Sequence, residues 1–111
     1  MSAGTYNFTI EQGTTFSRVL TLQENSSAMN LTGYSVASQM RSTHDSSTVV
    51  ATFSGSVTNA SSGQITLSLT NSQTSAIEEA IYVYDVEITS GAGAVTRILE
   101  GTITVTPEVT R

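Results

Sequence analysis

The chain of 111 residues contains no cysteine, no tryptophan and no lysine, and only one proline and one histidine. Each gap removes a class of explanation. Without cysteine there is no disulfide framework and no thiolate metal or redox centre, so a hydrophobic core alone must hold the fold. With no lysine, and four Arg set against nine acids for a net charge of -5, the chain has no basic patch to neutralise phosphates, which argues against a nucleic-acid partner. No apolar run approaches the ~18 residues of a membrane span. The opening Met1-Ser2-Ala3-Gly4-Thr5 lacks the basic and apolar regions of a secretion signal. Neither a membrane partner nor export is therefore expected.

What is present in excess is hydroxyl: 17 Ser and 19 Thr, while charged residues make up only 12% of the chain against an ordinary share of about 25%. That bias favours strands and turns over amphipathic helices. The length predicts one domain over residues 1–111, with short polar arms at residues 1–5 and 106–111 that are expected to be disordered alone and to order against neighbours in an assembly. Four Asn-X-Ser/Thr triplets, at Asn7, Asn25, Asn30 and Asn59, are read as coincidence in so hydroxyl-rich a chain.

Hydrophobic periodicity near two runs along the sequence. Tyr6, Phe8 and Ile10 alternate with Asn7 and Thr9, and Phe16, Leu20 and Leu22 share one parity of a second strand that reaches about Gln23. Glu24-Asn25-Ser26-Ser27 reads as a turn. A third strand carries Tyr34, Val36 and Met40 opposite Ser35, Gln39 and Arg41. After a loop over residues 42–47, residues 48–53 and a piece around Val57 read as edge strands, followed by a strand with Ile65, Leu67 and Leu69 on its inner face. Ser75-Ala76-Ile77-Glu78 matches a capping box and predicts a short helical connector. Tyr82, Tyr84, Val86 and Ile88 line one face of the next strand. The Gly-rich turn Ser90-Gly91-Ala92-Gly93 then returns the chain through Val95, Arg97, Leu99, Gly101, Ile103 and Val105, expected inward, with Gly101 marking a bulge or bend. The pattern predicts an all-β, antiparallel Ig-like β-sandwich of about seven to eight strands with one short helical connector; a small barrel is the alternative.

Few residues could do chemistry. His44 stands beside Asp45 in a Ser-rich loop, with no second His or cysteine to complete a metal site. Consecutive Glu78 and Glu79 would point about 100° apart on a helical turn, and Asp85 and Glu87 share one strand face where paired hydrolytic carboxylates would come from different elements. No nucleophile elbow, phosphate loop or zinc motif occurs. The sequence therefore predicts no catalytic residue, no cofactor and no metal, and a protein that is not an enzyme. Surface recognition remains. On the expected parities Val83 and Ile98 emerge beside Asp85, Glu87 and Glu100 as a mixed apolar and acidic strip, which is either a protein contact or is covered by a neighbouring loop. Arg18 and Arg97 fall on inward parities, where each must reach a carboxylate, snorkel to the rim or serve an interface. Without lysine to guard strand edges, assembly with other subunits is expected.

The order of these motifs resembles a known family. Tyr6-Asn7-Phe8-Thr9-Ile10-Glu11-Gln12-Gly13, Leu31-Thr32-Gly33-Tyr34, Gly63-Gln64-Ile65-Thr66-Leu67 and Tyr82-Val83-Tyr84-Asp85-Val86-Glu87 together resemble the N-terminal domain of tailed-bacteriophage baseplate upper proteins, over roughly Tyr6 to Val105. The resemblance implies an Ig-like sandwich in the virion, at the tail or baseplate more than the capsid, made in the bacterial host cytoplasm. It implies an adaptor that attaches tail fibres or receptor-binding proteins, present in several copies among other virion proteins. Such proteins continue into a fibre-like segment, whereas this sequence stops at Arg111, so any fibre is expected to be a separate polypeptide. A capsid cement protein and a carbohydrate- or ligand-binding β-sandwich module are the rival expectations. The family offers no active-site residues to carry over.

Overall fold

The computed structural model describes residues 4–24 and 27–109. Residues 1–3 and 110–111 of the expected arms and residues 25–26 of the expected turn lie outside them, whereas Gly4–Thr5 pairs with the last strand and Thr106 pairs with Glu11, so these parts of the arms are ordered within the chain itself. Ten strands and one short helix follow in order: β1 (Gly4–Thr5), β2 (Phe8–Glu11), β3 (Phe16–Thr21), β4 (Gln23–Glu24), β5 (Ser27–Ala28), β6 (Ser35–Arg41), β7 (Ala51–Asn59), β8 (Gln64–Leu69), α1 (Asn71–Ser75), β9 (Ala80–Thr89) and β10 (Val95–Thr106). Alternation in the sequence becomes alternation in burial: β8 buries Ile65, Leu67 and Leu69, and β9 buries Tyr82, Tyr84, Val86 and Ile88. Period-two hydrophobicity builds a half-buried strand because successive side chains leave opposite faces.

Eight strands form one curled sheet in the order β1-β10-β9-β6-β7-β8-β3, with β2 following β1 along the same edge of β10. The remaining two, β4 and β5, make a small hairpin. The sheet is mixed. β1 and β2 run parallel to β10, where antiparallel pairing throughout was expected, while every other pair is antiparallel. The residues expected to give two short edge pieces form the single strand β7 in the sheet interior. It pairs with β6 through Ala51–Phe53 and with β8 from Ser54 onward. This change of partner partway along one strand curls the sheet over its own core.

The curl leaves two end strands, β1/β2 and β3, and side chains close the gap between them. Phe8 on β2 stacks on Phe16 of β3 at 5.3 Å between centroids and meets Tyr84 edge-on at 5.0 Å. Such ring pairs add roughly 0.5–1.5 kcal/mol beyond their buried area. Arg18 faces inward as expected, but it reaches neither a carboxylate nor an outer face. Its guanidinium lies 5.5 Å from the Phe8 ring and 5.9 Å from the Phe16 ring, and Nη1 donates to the Tyr6 hydroxyl at 2.7 Å. Cation–π attraction and one hydrogen bond satisfy the charge at the seam.

Two details of the final hairpin differ from the expected parity. The β9–β10 register shifts between Arg97 and Leu99, so the bulge lies there and not at Gly101. With one extra residue between Arg97 and Glu100, Arg97 turns outward and Ile98 turns inward, where it is 5% exposed and part of the core. Gly101 serves a different need. The connector between β1 and β2 crosses above it, and a Cβ there would lie 2.3 Å from the Tyr6 carbonyl oxygen.

The helical connector also starts earlier than the Ser75–Glu78 motif suggested. Thr70 is the N-cap, its side chain accepting from the Gln73 N–H while the Gln73 side chain accepts from the Thr70 N–H. Thr74, fully buried, donates from Oγ1 to the Thr14 carbonyl at 2.7 Å and ties α1 to the turn between β2 and β3.

Candidate functional site

The outer face of β9 carries Ile81, Val83, Asp85 and Glu87, because the inner parity is taken by the buried aromatics and aliphatics. Register fixes their neighbours. On β10, Thr104, Thr102, Glu100 and Arg97 stand opposite Ile81, Val83, Asp85 and Glu87. On β6, Arg41, Gln39 and Ala37 stand opposite Val83, Asp85 and Glu87. Thr52 of β7 adjoins Gln39. Directly opposed residues share a face and lie about 4.5–5.5 Å apart, so Thr52, Gln39, Asp85 and Glu100 form one row across four strands. This outer face, together with the loop that follows β6, bounds an open groove of about 490 Å³.

One wall of the groove is the loop of residues 42–50, which contributes Thr43 and His44. Arg41 holds that loop, Nη1 donating to the Ser46 carbonyl at 2.7 Å and Nη2 to Gln39 Oε1 at 3.0 Å. The Val50 N–H closes the loop onto the Met40 carbonyl at 2.8 Å.

Arg97 sits at the centre of the charge pattern. Its Nε lies 3.8 Å from Asp85 Oδ2 and its Nη1 3.6 Å from Glu100 Oε1. Both separations exceed hydrogen-bond length. All three side chains are about half exposed, where such pairs contribute little to stability. Glu87, opposite Arg97 in register, makes no ion pair among the described residues. Three carboxylates thus surround one loosely held guanidinium.

Of the seven residues expected at an interface, Val83, Asp85, Glu87, Arg97 and Glu100 line this one groove. Ile98 does not join them, being buried by the bulge, and Arg18 lies at the β2–β3 seam. Gln39, Arg41 and Thr52 belong to the groove and were not foreseen, although Gln39 and Arg41 were already legible as the outer parity of their strand. What the alternation did not reveal is that this strand lies next to β9.

Among the described residues no Ser or Thr hydroxyl is hydrogen-bonded to His44 or to a carboxylate, so no activated nucleophile is assembled. No group of three or more His, Asp or Glu among them is placed to hold a metal ion. A second hollow, of about 380 Å³, lies between Gln12, Glu78, Glu79, Pro107 and Glu108. Gln12 bridges its sides, donating to the Ile77 carbonyl at 2.8 Å and accepting from the Glu108 N–H at 3.1 Å.

The inner side holds the only clear titration shifts among the described residues. Burial, together with nearby Tyr6, pushes the Tyr84 phenol up to about 12, with Arg18 opposing. Its hydroxyl donates to the Tyr6 carbonyl at 2.5 Å. Tyr82 is raised by burial and by Glu78, and donates to the Glu78 carbonyl at 2.6 Å. Both phenols are structural donors in their neutral form.

None of the seven aromatic rings is fully exposed. Phe8, Phe16, Phe53, Tyr82 and Tyr84 are buried, while Tyr6 and Tyr34 pack half-buried against them. Comparison with known proteins found no protein-family model and no curated sequence that matches the chain.

Proposed function

We propose that this chain is a non-enzymatic structural protein of a tailed-phage virion, a tail or baseplate adaptor that attaches fibres or receptor-binding proteins through its outer sheet face. The observation that carries the reading is the groove. Val83, Asp85, Glu87 and Glu100, which strand parity placed on one outer strip, converge there on one solvent-facing surface, joined by Arg97, which the bulge turns outward, and the surrounding chemistry is that of contact and not of turnover. The phage assignment rests on the motif order. The curled sheet supports an Ig-like sandwich as the finer architecture, in that β3 and β8 lie across a shared aromatic core from β2 and β9. Repeated copies in a symmetric assembly follow from end strands that no lysine guards.

A sugar-binding module needs exposed rings for stacking, and with five rings buried and Tyr6 and Tyr34 packed half-buried against them that alternative is less favoured. Capsid cement shares the chemistry of the adaptor and differs in location. Purified particles separated into heads and tails, each probed with an antibody against the chain, decide between them. Recovery in tails at a multiple of three or six copies supports the adaptor. Recovery in heads at hundreds of copies replaces it with cement, and absence from both removes the virion reading.

A further inference from the structure

We infer that the outer groove receives an extended segment of a different, basic protein, with an arginine side chain seated among Asp85, Glu87 and Glu100 and an apolar side chain two residues away on Ile81 and Val83. This rests on the reading of the chain as an attachment module and names the chemistry of the partner.

Three observations converge. The first is charge: the three carboxylates face one resident guanidinium, Arg97, which sits beyond hydrogen-bond length from Asp85 and Glu100 and makes no ion pair with Glu87. Their oxygens remain available to an incoming donor, and a planar guanidinium can bridge two carboxylates side by side where an ammonium acts as a point charge. Arg41, the other cation of the groove, is turned onto the Ser46 carbonyl and Gln39. The second is the apolar end. Val83 lines the groove one strand repeat of about 7 Å from Asp85, and Ile81, 67% exposed, follows it one repeat further along the same face, so an extended peptide lying along β9 places alternate side chains on the two patches. The third excludes a second copy as the occupant: this chain has no lysine, four arginines and a net charge of -5, so two like faces repel and a basic partner is attracted.

The test is an NMR titration of the isotope-labelled chain with acetyl-Arg-Gly-Val-amide, and with the same peptide carrying citrulline, which keeps the shape and removes the charge. Saturable amide shifts on Gln39, Val83, Asp85, Glu87 and Glu100, absent with citrulline and about fivefold weaker in Glu87→Gln, are expected. The acidic hollow at Glu78, Glu79 and Glu108 is the internal control. Equal shifts there, equal shifts with citrulline, or none through the millimolar range overturn the proposal. A second variant, Glu100→Gln, guards against a misfolded first one, since the unperturbed spectrum of either reports the fold before peptide is added. Failure here with the protein recovered in tails refutes the groove assignment alone; binding here with the protein absent from particles refutes only the virion reading.

Discussion

Replacing Gly101 by alanine should destabilise the protein far more than one added methyl group suggests. The new Cβ would lie 2.3 Å from the Tyr6 carbonyl oxygen and 2.7 Å from Asn7 Oδ1, so the connector between β1 and β2 must lift. Two of the connector's hydrogen bonds end on those same two atoms: the Tyr84 hydroxyl donates to the Tyr6 carbonyl at 2.5 Å, and the Thr102 N–H donates to Asn7 Oδ1 at 2.9 Å. Overpacking of this kind costs about 1–3 kcal/mol, and loss of a buried hydrogen bond adds about 1 kcal/mol. The sum is about 2–4 kcal/mol, or a fall of about 1–2 M in the urea midpoint at an unchanged slope. Gly33→Ala is the control, because Gly33 has φ +81° with nothing near its Cβ, and its cost is backbone strain of about 1–2 kcal/mol. A double-mutant cycle with Tyr84→Phe isolates the mechanism. If the methyl acts by moving the Tyr6 carbonyl, the two substitutions share a loss and their effects fall short of additive by at least about 0.5 kcal/mol. A Gly101→Ala protein within about 0.5 kcal/mol of the parent, or strictly additive effects, would refute the crossing of the connector over Gly101.

Four further outcomes follow from the same geometry. Leu67→Ala, at a fully buried position on β8, should cost about 2–5 kcal/mol in urea titration, and a negligible loss would mean that β8 is out of register. Ile98→Glu should unfold the chain or cost more than about 3 kcal/mol by burying a charge, whereas Ile81→Glu, on the exposed outer face, should stay within about 0.5 kcal/mol; circular-dichroism melts compare the pair, and equal tolerance would move the bulge. Arg18→Ala should cost about 1–2 kcal/mol through its two rings and the Tyr6 hydroxyl, while Arg97→Ala, in half-exposed pairs, should lie within about 0.5 kcal/mol, and the reverse order in thermal melts would contradict the seam. Stability should be full below pH 10 and fall as pH rises toward 12: the folded state holds the Tyr84 proton up to about 12 while the unfolded phenol loses it near 10.0. Urea midpoints across that range should fall less steeply in Tyr84→Phe, and identical slopes would show that Tyr84 is not the group responsible.

Strand content and inner faces were legible because one physical signal, period-two burial, is local. Ile65, Leu67 and Leu69, and Tyr82, Tyr84, Val86 and Ile88, are buried as their parity requires. The misreadings share a cause as well. Parity carries through a strand only while the ladder is regular, and one bulge residue exchanged the faces of Arg97 and Ile98. Nothing in the residues 95–101 marks that position, whereas Gly101, which does stand out, answers to a chain crossing from a remote part of the sequence. Parallel pairing of β1 and β2 with β10 is equally silent, since the partner strands are about 95 residues apart and the same alternation suits either direction. The groove was half legible for this reason. The β9–β10 side comes from a hairpin of neighbours in sequence, but Gln39, Arg41 and Thr52 arrive through long-range pairing that no local pattern encodes.

Scarcity of charge makes its placement informative. The chain has only thirteen Asp, Glu and Arg residues, and five of them, Arg41, Asp85, Glu87, Arg97 and Glu100, line one groove. Stability does not call for this, because the two ion pairs there are long and half exposed and such pairs contribute about 0–1 kcal/mol. Solubility does not call for it either, since charges of both signs brought together cancel part of the field that keeps molecules apart. By contrast Arg18, the one cation committed to the interior side, is consumed by ring faces and a phenol that close the seam. The fold thus treats these arginines differently: Arg18 is satisfied by rings and a phenol and Arg41 by the Ser46 carbonyl and Gln39, while Arg97 is left in the groove with only long contacts to its carboxylates. That concentration of charge, beyond what the two long ion pairs repay in stability, is why the proposed function is placed on the groove and not on the more numerous Ser and Thr surface around it.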